Sequence, residues 1–395
     1  MLSFMSAELK ISFVSSITPA VNSTRFSLSL SLYEMAELEN EQATDPSLSP
    51  LLKCLEGSGV VLMDGGLTTS LPAQATSHAL WGHQLLLGVD GGLQSLHDVH
   101  LSHLRSGAQV LSTMTYKLSE KFIQECVIKG YLDEDIQEIG DWVKTSPWNP
   151  STVSAVQELY HRAISTAKKA VTTYVDEVSS SGQVVAHRPQ VYASCGPVGD
   201  SRLFSGVTDP DSQLTLQEDW CRGYYAEKLV GLAGCAPDGI AVESIPTLGE
   251  AVIAAEEATK ASLQIPVHIT FICKDESTTM GGSAFSECVA TLDKFSVVQS
   301  IGINCTSPKY MVPLIEIAAR STSKPISVYP NSGERFIAKK GERRWVDEGG
   351  MKVVCGQDAV DYYKAGARII GGCCRVYATQ IAEMKSSLQE YRSQL

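Results

Sequence analysis

From Gly59 onward, short uninterrupted apolar runs alternate with longer stretches whose apolar residues recur at helical spacing. Eight runs have the length and composition of buried strands. They are Val60–Met63, Gln109–Ser112, Gln190–Ala193, Gly239–Val242, Val267–Phe271, Val298–Ile303, Ile326–Tyr329 and Arg368–Ile370. Segments of helical period lie between them, among them Leu93–Arg105, Val153–Val171, Ala226–Gly234, Tyr310–Ala319 and Ala359–Lys364. Strands buried on both faces pair in parallel beneath covering helices, joined by right-handed crossovers. Eight of them predict an α/β chain closed into a (β/α)8 TIM-type barrel rather than an open doubly wound sheet. A dinucleotide fold would also want G-x-G-x-x-G after its first strand, and Asp64-Gly65-Gly66-Leu67 lacks that spacing.

The barrel reading organises the polar residues. Nearly every strand ends in a group of chemical use: Asp64, Thr113 and Thr115, Ser194, Glu243, Thr270, Asn304 with Cys305, Asn331, and Cys373 with Cys374. Active sites in such barrels are built at the C-terminal strand ends, so these residues are expected around one mouth. The longest interval, between the second and third strands, holds a polar, Trp-containing stretch, Asp133–Pro150, read as an insertion with helical flanks that serves as a lid or an assembly surface.

Residues 1–50 break the pattern and are expected to be a mostly disordered extension, with 51–395 as the single barrel domain. Residues 1–33 are rich in Ser, Leu and Thr with few charges, too poor in Arg for a convincing organellar targeting segment. Met35 opens a second polar lead-in, so residues 1–34 are expected to be dispensable.

Composition narrows the class. Of 395 residues 44% are apolar, and the formal net charge is −12 with no basic stretch to match a run of phosphates, which excludes nucleic acid as partner. No apolar run approaches the ~20 residues that span a bilayer, so no membrane is expected either. Eleven cysteines, an odd number without regular spacing, point to a reducing, cytoplasmic setting. Cys195, Cys235 and Cys273 lie in apolar stretches and read as packing residues.

Three cysteines stand apart. Cys373 and Cys374 close the run Ala367-Arg368-Ile369-Ile370-Gly371-Gly372, and Cys305 closes Ser300-Ile301-Gly302-Ile303-Asn304. Each run is a strand ending in small residues that let the backbone turn tightly. Two readings stand: packing residues, or three thiolates holding zinc with one position open, the catalytic pattern. A disulfide between the neighbours Cys373 and Cys374 is disfavoured by strain.

These residues sit in a larger set. Asp64-Gly65-Gly66-Leu67, Glu243-Ser244-Ile245-Pro246, Gly302-Ile303-Asn304-Cys305, Tyr329-Pro330-Asn331-Ser332-Gly333-Glu334 and Gly371-Gly372-Cys373-Cys374-Arg375 occur in the order and spacing of one family. In this the chain resembles the zinc-dependent homocysteine S-methyltransferases, over roughly Gly59 to Lys385. The resemblance implies that Cys305, Cys373 and Cys374 hold one Zn2+ per chain and that the homocysteine sulfur joins the same ion. It implies that Glu243 binds the substrate's α-ammonium and that Asp64 and Gly65 form a turn whose backbone N–H groups meet the substrate carboxylate. Asn304, Tyr116 and Asn331 are expected to line the substrate, and Trp81 either packs or offers its face to a sulfonium donor.

Two departures bear on the donor. Leu67-Thr68-Thr69-Ser70-Leu71-Pro72 replaces the family's usual acidic run, and Ser244 stands where the betaine-using branch commonly has Tyr. S-methylmethionine or S-adenosylmethionine is therefore the expected donor, giving methionine. The alternatives are a selenocysteine or other small-thiol methyltransferase, the betaine-using branch, and, in a different class, a non-catalytic zinc-binding barrel. The chain is too short for the folate and cobalamin modules of a full methionine synthase.

Overall fold

The computed structural model describes residues 49–72, 82–88, 91–119, 155–198, 218–339, 342–346 and 354–395. The 1–34 extension, the Asp133–Pro150 insertion and Trp81 lie outside the described residues. Leu48–Leu395 forms one compact unit.

The first helix, α1 (Pro50–Ser58), shows how local sequence sets an element. The Ser49 hydroxyl accepts from the Leu52 N–H, Pro50 opens the first turn, and Gly59 ends it in the left-handed conformation at φ 66°. The chain then runs β1 (Val61–Leu62), α2 (Leu67–Ser70), α3 (Gly92–Arg105), β2 (Val110–Ser112), α4 (Ala155–Ser180), β3 (Gln190–Cys195), α5 (Glu218–Ala233), β4 (Gly239–Ile245) and α6 (Leu248–Lys260). It continues with β5 (Val267–Phe271), α7 (Phe285–Leu292), β6 (Val298–Asn304), α8 (Met311–Ala319), β7 (Ile326–Tyr329), β8 (Arg335–Lys339), β9 (Glu342–Val346), α9 (Gly356–Ala365), β10 (Ala367–Ile370) and α10 (Ala378–Ser393).

Eight strands form one sheet in the order β1-β10-β7-β6-β5-β4-β3-β2, and each neighbouring pair is parallel. The two ends meet through a parallel bridge between Met63 and Val110, with the Asp64 N–H donating to the Val110 carbonyl at 3.0 Å. The sheet is thus a closed barrel, and all eight predicted strands belong to it. The antiparallel hairpin β8–β9 is an addition that the apolar pattern did not announce.

Inside the barrel Met63, Val110, Tyr192, Ala241, Tyr329 and Ile369 form one buried cluster. His268 meets the Tyr192 ring edge-on at 4.6 Å, and burial holds its imidazole neutral, with a pKa of about 3. The interior is therefore a packed core, and chemistry is left to its rim. Among the described residues no helix is long and apolar enough to cross a membrane.

Candidate active site

At the C-terminal rim, β6 and β10 deliver sulfur to one point. Cys305 directly follows β6 and adopts φ 49°, a left-handed conformation that a non-glycine residue holds only under tertiary constraint. The constraint is visible: its N–H donates to the Tyr329 carbonyl at 3.1 Å and its carbonyl accepts from Asn331 Nδ2 at 2.9 Å. On the other side, the Gly372 N–H donates to the Asp64 carbonyl and the Cys373 N–H to the Pro330 carbonyl, at 3.0 and 2.7 Å. A Cβ at Gly372 would collide with the Val376 side chain, so the turn that aims both cysteines needs glycine there.

The sulfur atoms of Cys305, Cys373 and Cys374 lie within 4.8 Å of one another, the one potential metal cluster among the described residues. Cys373 Sγ and Cys374 Sγ are 4.0 Å apart, close to the roughly 3.8 Å that two thiolates span on one tetrahedral zinc. Cys305 and Cys373 are joined as a disulfide, with Cα atoms 5.5 Å apart. Three free thiols were expected. Sulfurs brought this close can bridge or share a metal, and only the reduced pair can do the latter. Burial pushes the Cys374 thiol up to about 11, so a thiolate at this position calls for a cation beside it.

Two buried carboxyls face the same mouth. Asp64 accepts from the Ser112 N–H at 2.8 Å, and burial raises its pKa well above the usual carboxylate range, with the Glu243 charge adding to the shift. Glu243, at the end of β4, accepts from the Ser194 and Tyr329 hydroxyls; burial raises its pKa too, while these bonds and Lys228 oppose the rise. The Tyr329 and Thr270 hydroxyl oxygens lie 2.8 Å apart.

Asn304, expected to line the substrate, is engaged within the protein through both ends of its amide. Its Oδ1 accepts from the Ser244 N–H and Thr270 hydroxyl at 2.7 and 2.9 Å, and its Nδ2 donates to the Ser244 hydroxyl at 2.7 Å. Those bonds hold Ser244 at φ 62° and so aim the adjacent Glu243. The Gly65 turn also departs from expectation. Its N–H donates to His103 Nδ1 at 3.3 Å and that of Gly66 to the Val376 carbonyl at 2.8 Å, so both donors are engaged within the protein. The turn packs against α3 too tightly for anything but glycine: a Cβ on Gly65 would meet the Val376 carbonyl and lie 2.9 Å from the His103 ring.

Tyr116 follows β2, and its hydroxyl faces Ser244. Asn331 Nδ2 is engaged with Cys305, while its Oδ1 is buried without a hydrogen-bond partner among the described residues. Four groups escaped the sequence reading: Tyr329, Lys228 and the Glu334–Arg375 ion pair beside the cysteine turn. Tyr329 and the ion pair lie inside the quoted motifs, and strand-end position was the available signal for the tyrosine.

The comparisons agree in direction. The homocysteine S-methyltransferase family profile matches residues 61–388. Selenocysteine Se-methyltransferase of Brassica oleracea var. italica is 31% identical, covering 88% of this chain and 93% of that protein. Homocysteine S-methyltransferase 4 of Zea mays is 29% identical, covering 85% and 91%. The metallated form of the homocysteine methyltransferase MmuM from Escherichia coli shares the fold with a TM-score of 0.65, at 24% identity over 86% of this chain and 99% of that one. A profile that spans the barrel from its first strand into its last helix makes this chain a member of the homocysteine S-methyltransferase family.

Proposed function

We propose that this protein methylates the sulfur of homocysteine, using S-methylmethionine as methyl donor, and that Cys305, Cys373 and Cys374 hold one zinc for the purpose. The observation that carries the reading is the convergence of three sulfurs and the buried Glu243 carboxyl on one barrel mouth. When bound, zinc supplies the Lewis acidity that turns a thiol with a pKa near ~8.5 into a thiolate at neutral pH.

The protein's own groups do the rest. Glu243, held by Ser194 and Tyr329, offers a fixed negative charge to the acceptor's α-ammonium. Asp64 ties the first strand to the second and carries on its carbonyl the Gly372 turn, so the acceptor sits where sulfur and ammonium are both met. In the transfer a bond forms between the acceptor sulfur and the methyl carbon while the carbon–sulfonium bond breaks. The electron pair stays with the donor sulfur, which leaves neutral. No general acid is needed, which accords with buried carboxyls that bind rather than donate.

Because one relative carries a selenocysteine methyltransferase name, the acceptor panel should include selenocysteine as the second reading. The reduced protein should contain about one zinc and convert homocysteine and S-methylmethionine to methionine. S-methylmethionine should exceed betaine by at least about tenfold in kcat/KM, ~1.4 kcal/mol of transition-state binding. Equal or better use of betaine overturns the donor assignment. A metal-free preparation of full activity overturns the mechanism.

A further inference from the structure

Lys228 sits in α5 with 2% exposure, and nothing in the chemistry above employs it. An ammonium stripped of water persists only where partners take up its protons and charge. Here Nζ donates to the Tyr116 carbonyl at 2.6 Å and to the Tyr224 hydroxyl at 2.9 Å, and it lies 5.2 Å from the centre of the Tyr224 ring. The Tyr224 hydroxyl donates in turn to the Gly196 carbonyl at 3.0 Å, and the Gly196 N–H returns to the same Tyr116 carbonyl at 2.9 Å. The loops after β2 and β3 are thereby clamped to α5 at one point. That point is electrostatically joined to the site. Asp64, Ser194, Tyr329, Tyr116, Cys195 and Cys374 all act on Glu243 or feel its charge, and Lys228 is the cation among them.

We propose that Lys228 is a positioning residue of the transfer site: its ammonium fixes Tyr116 through the main chain and supplies the counter-charge that keeps Glu243 ready for the acceptor's α-ammonium. The inference rests on the proposed homocysteine chemistry. A buried carboxylate among buried hydroxyls and thiols lacks a solvent shell to stabilise it, and a fixed positive charge in the protein can substitute for one. The clamp places that charge in the protein before the acceptor arrives, so the acceptor's ammonium is the second cation that Glu243 meets.

The test is a kinetic cycle with homocysteine and S-methylmethionine varied separately. Lys228→Met, which keeps the stem but removes the charge, should raise the homocysteine KM at least about tenfold, with the donor KM within about twofold and zinc content unchanged. Lys228→Arg should restore homocysteine KM to within about threefold of the parent, which a purely volumetric role would not allow. In a Glu243→Gln background Lys228→Met should add less than about threefold, because its effect runs through the lost charge. An unchanged homocysteine KM in Lys228→Met, or a full multiplicative loss on top of Glu243→Gln, overturns the inference. If Lys228→Met does not fold, Tyr224→Phe removes the hydroxyl that links the ammonium to Gly196 and should raise the homocysteine KM about threefold; no change overturns the inference as well. A parent protein that neither binds nor methylates homocysteine overturns the functional reading and this inference with it, whereas an active parent with unmoved variants overturns the inference alone.

Discussion

Asp64 carries its carboxyl in a place that disfavours charge. Burial raises its pKa well above the usual range, so the folded state holds a proton that the unfolded chain releases near pH ~4. Stability from this group is therefore greatest at low pH and falls as pH rises from the unfolded pKa to the folded one. Asp64→Asn keeps an acceptor for the Ser112 N–H and does not titrate. It should raise the melting temperature at pH 7, with the gain shrinking as pH is lowered toward ~4; a constant gain across that range would refute the assignment. The same scale shows what sequence can and cannot reveal. Asp64, Glu243 and the cysteines were legible because strand-end position and residue type pointed the same way. Lys228 was not, since a lysine between Glu227 and Leu229 on an amphipathic helix has the signature of a solvent-facing residue. Asn304 was found, but only coordinates reveal that its amide holds Ser244 and Thr270 in place.

Among elements, the eight barrel strands were readable because burial on both faces leaves an unbroken apolar run, a signal that survives without partners. The hairpin β8–β9 was hidden for the opposite reason: Arg335, Lys339, Glu342, Arg343 and Arg344 interrupt any alternation along it. The tie between β4 and β6 is likewise invisible in a linear reading. Asn304 links the end of β6 to the left-handed Ser244 after Glu243. Asn304→Ala strands the Ser244 N–H in a buried site and should cost about 1–3 kcal/mol in chemical denaturation. It should also raise the homocysteine KM by loosening Glu243, while zinc content stays at the parent value. A variant as stable as the parent would show that Ser244 keeps its conformation unaided.

For the whole molecule, Leu48–Leu395 forms one compact unit, and the buried apolar residues among the described ones fall within it. The leading 34 residues, rich in Ser, Leu and Thr, differ in composition from the strand–helix alternation that begins at Gly59. A chain beginning at Met35 should match the full one in melting temperature and kcat/KM; a marked loss in either would show that those residues dock on the barrel. The closed ring of eight strands was legible from their number and spacing.

The place of β10 in that ring has a consequence for biosynthesis. It is the last strand of the chain, yet it inserts between β1 and β7 and brings two of the three sulfurs with it. A nascent or prematurely terminated chain can present Cys305 alone, which makes a poor metal trap. On the proposed ligand set, metal capture would act as a checkpoint on completed synthesis, because two of its three sulfurs arrive only with the last strand. Chelation of a metal-loaded preparation should correspondingly lower its melting temperature, since an ion held by those three cysteines would bind the closed ring and not the open one.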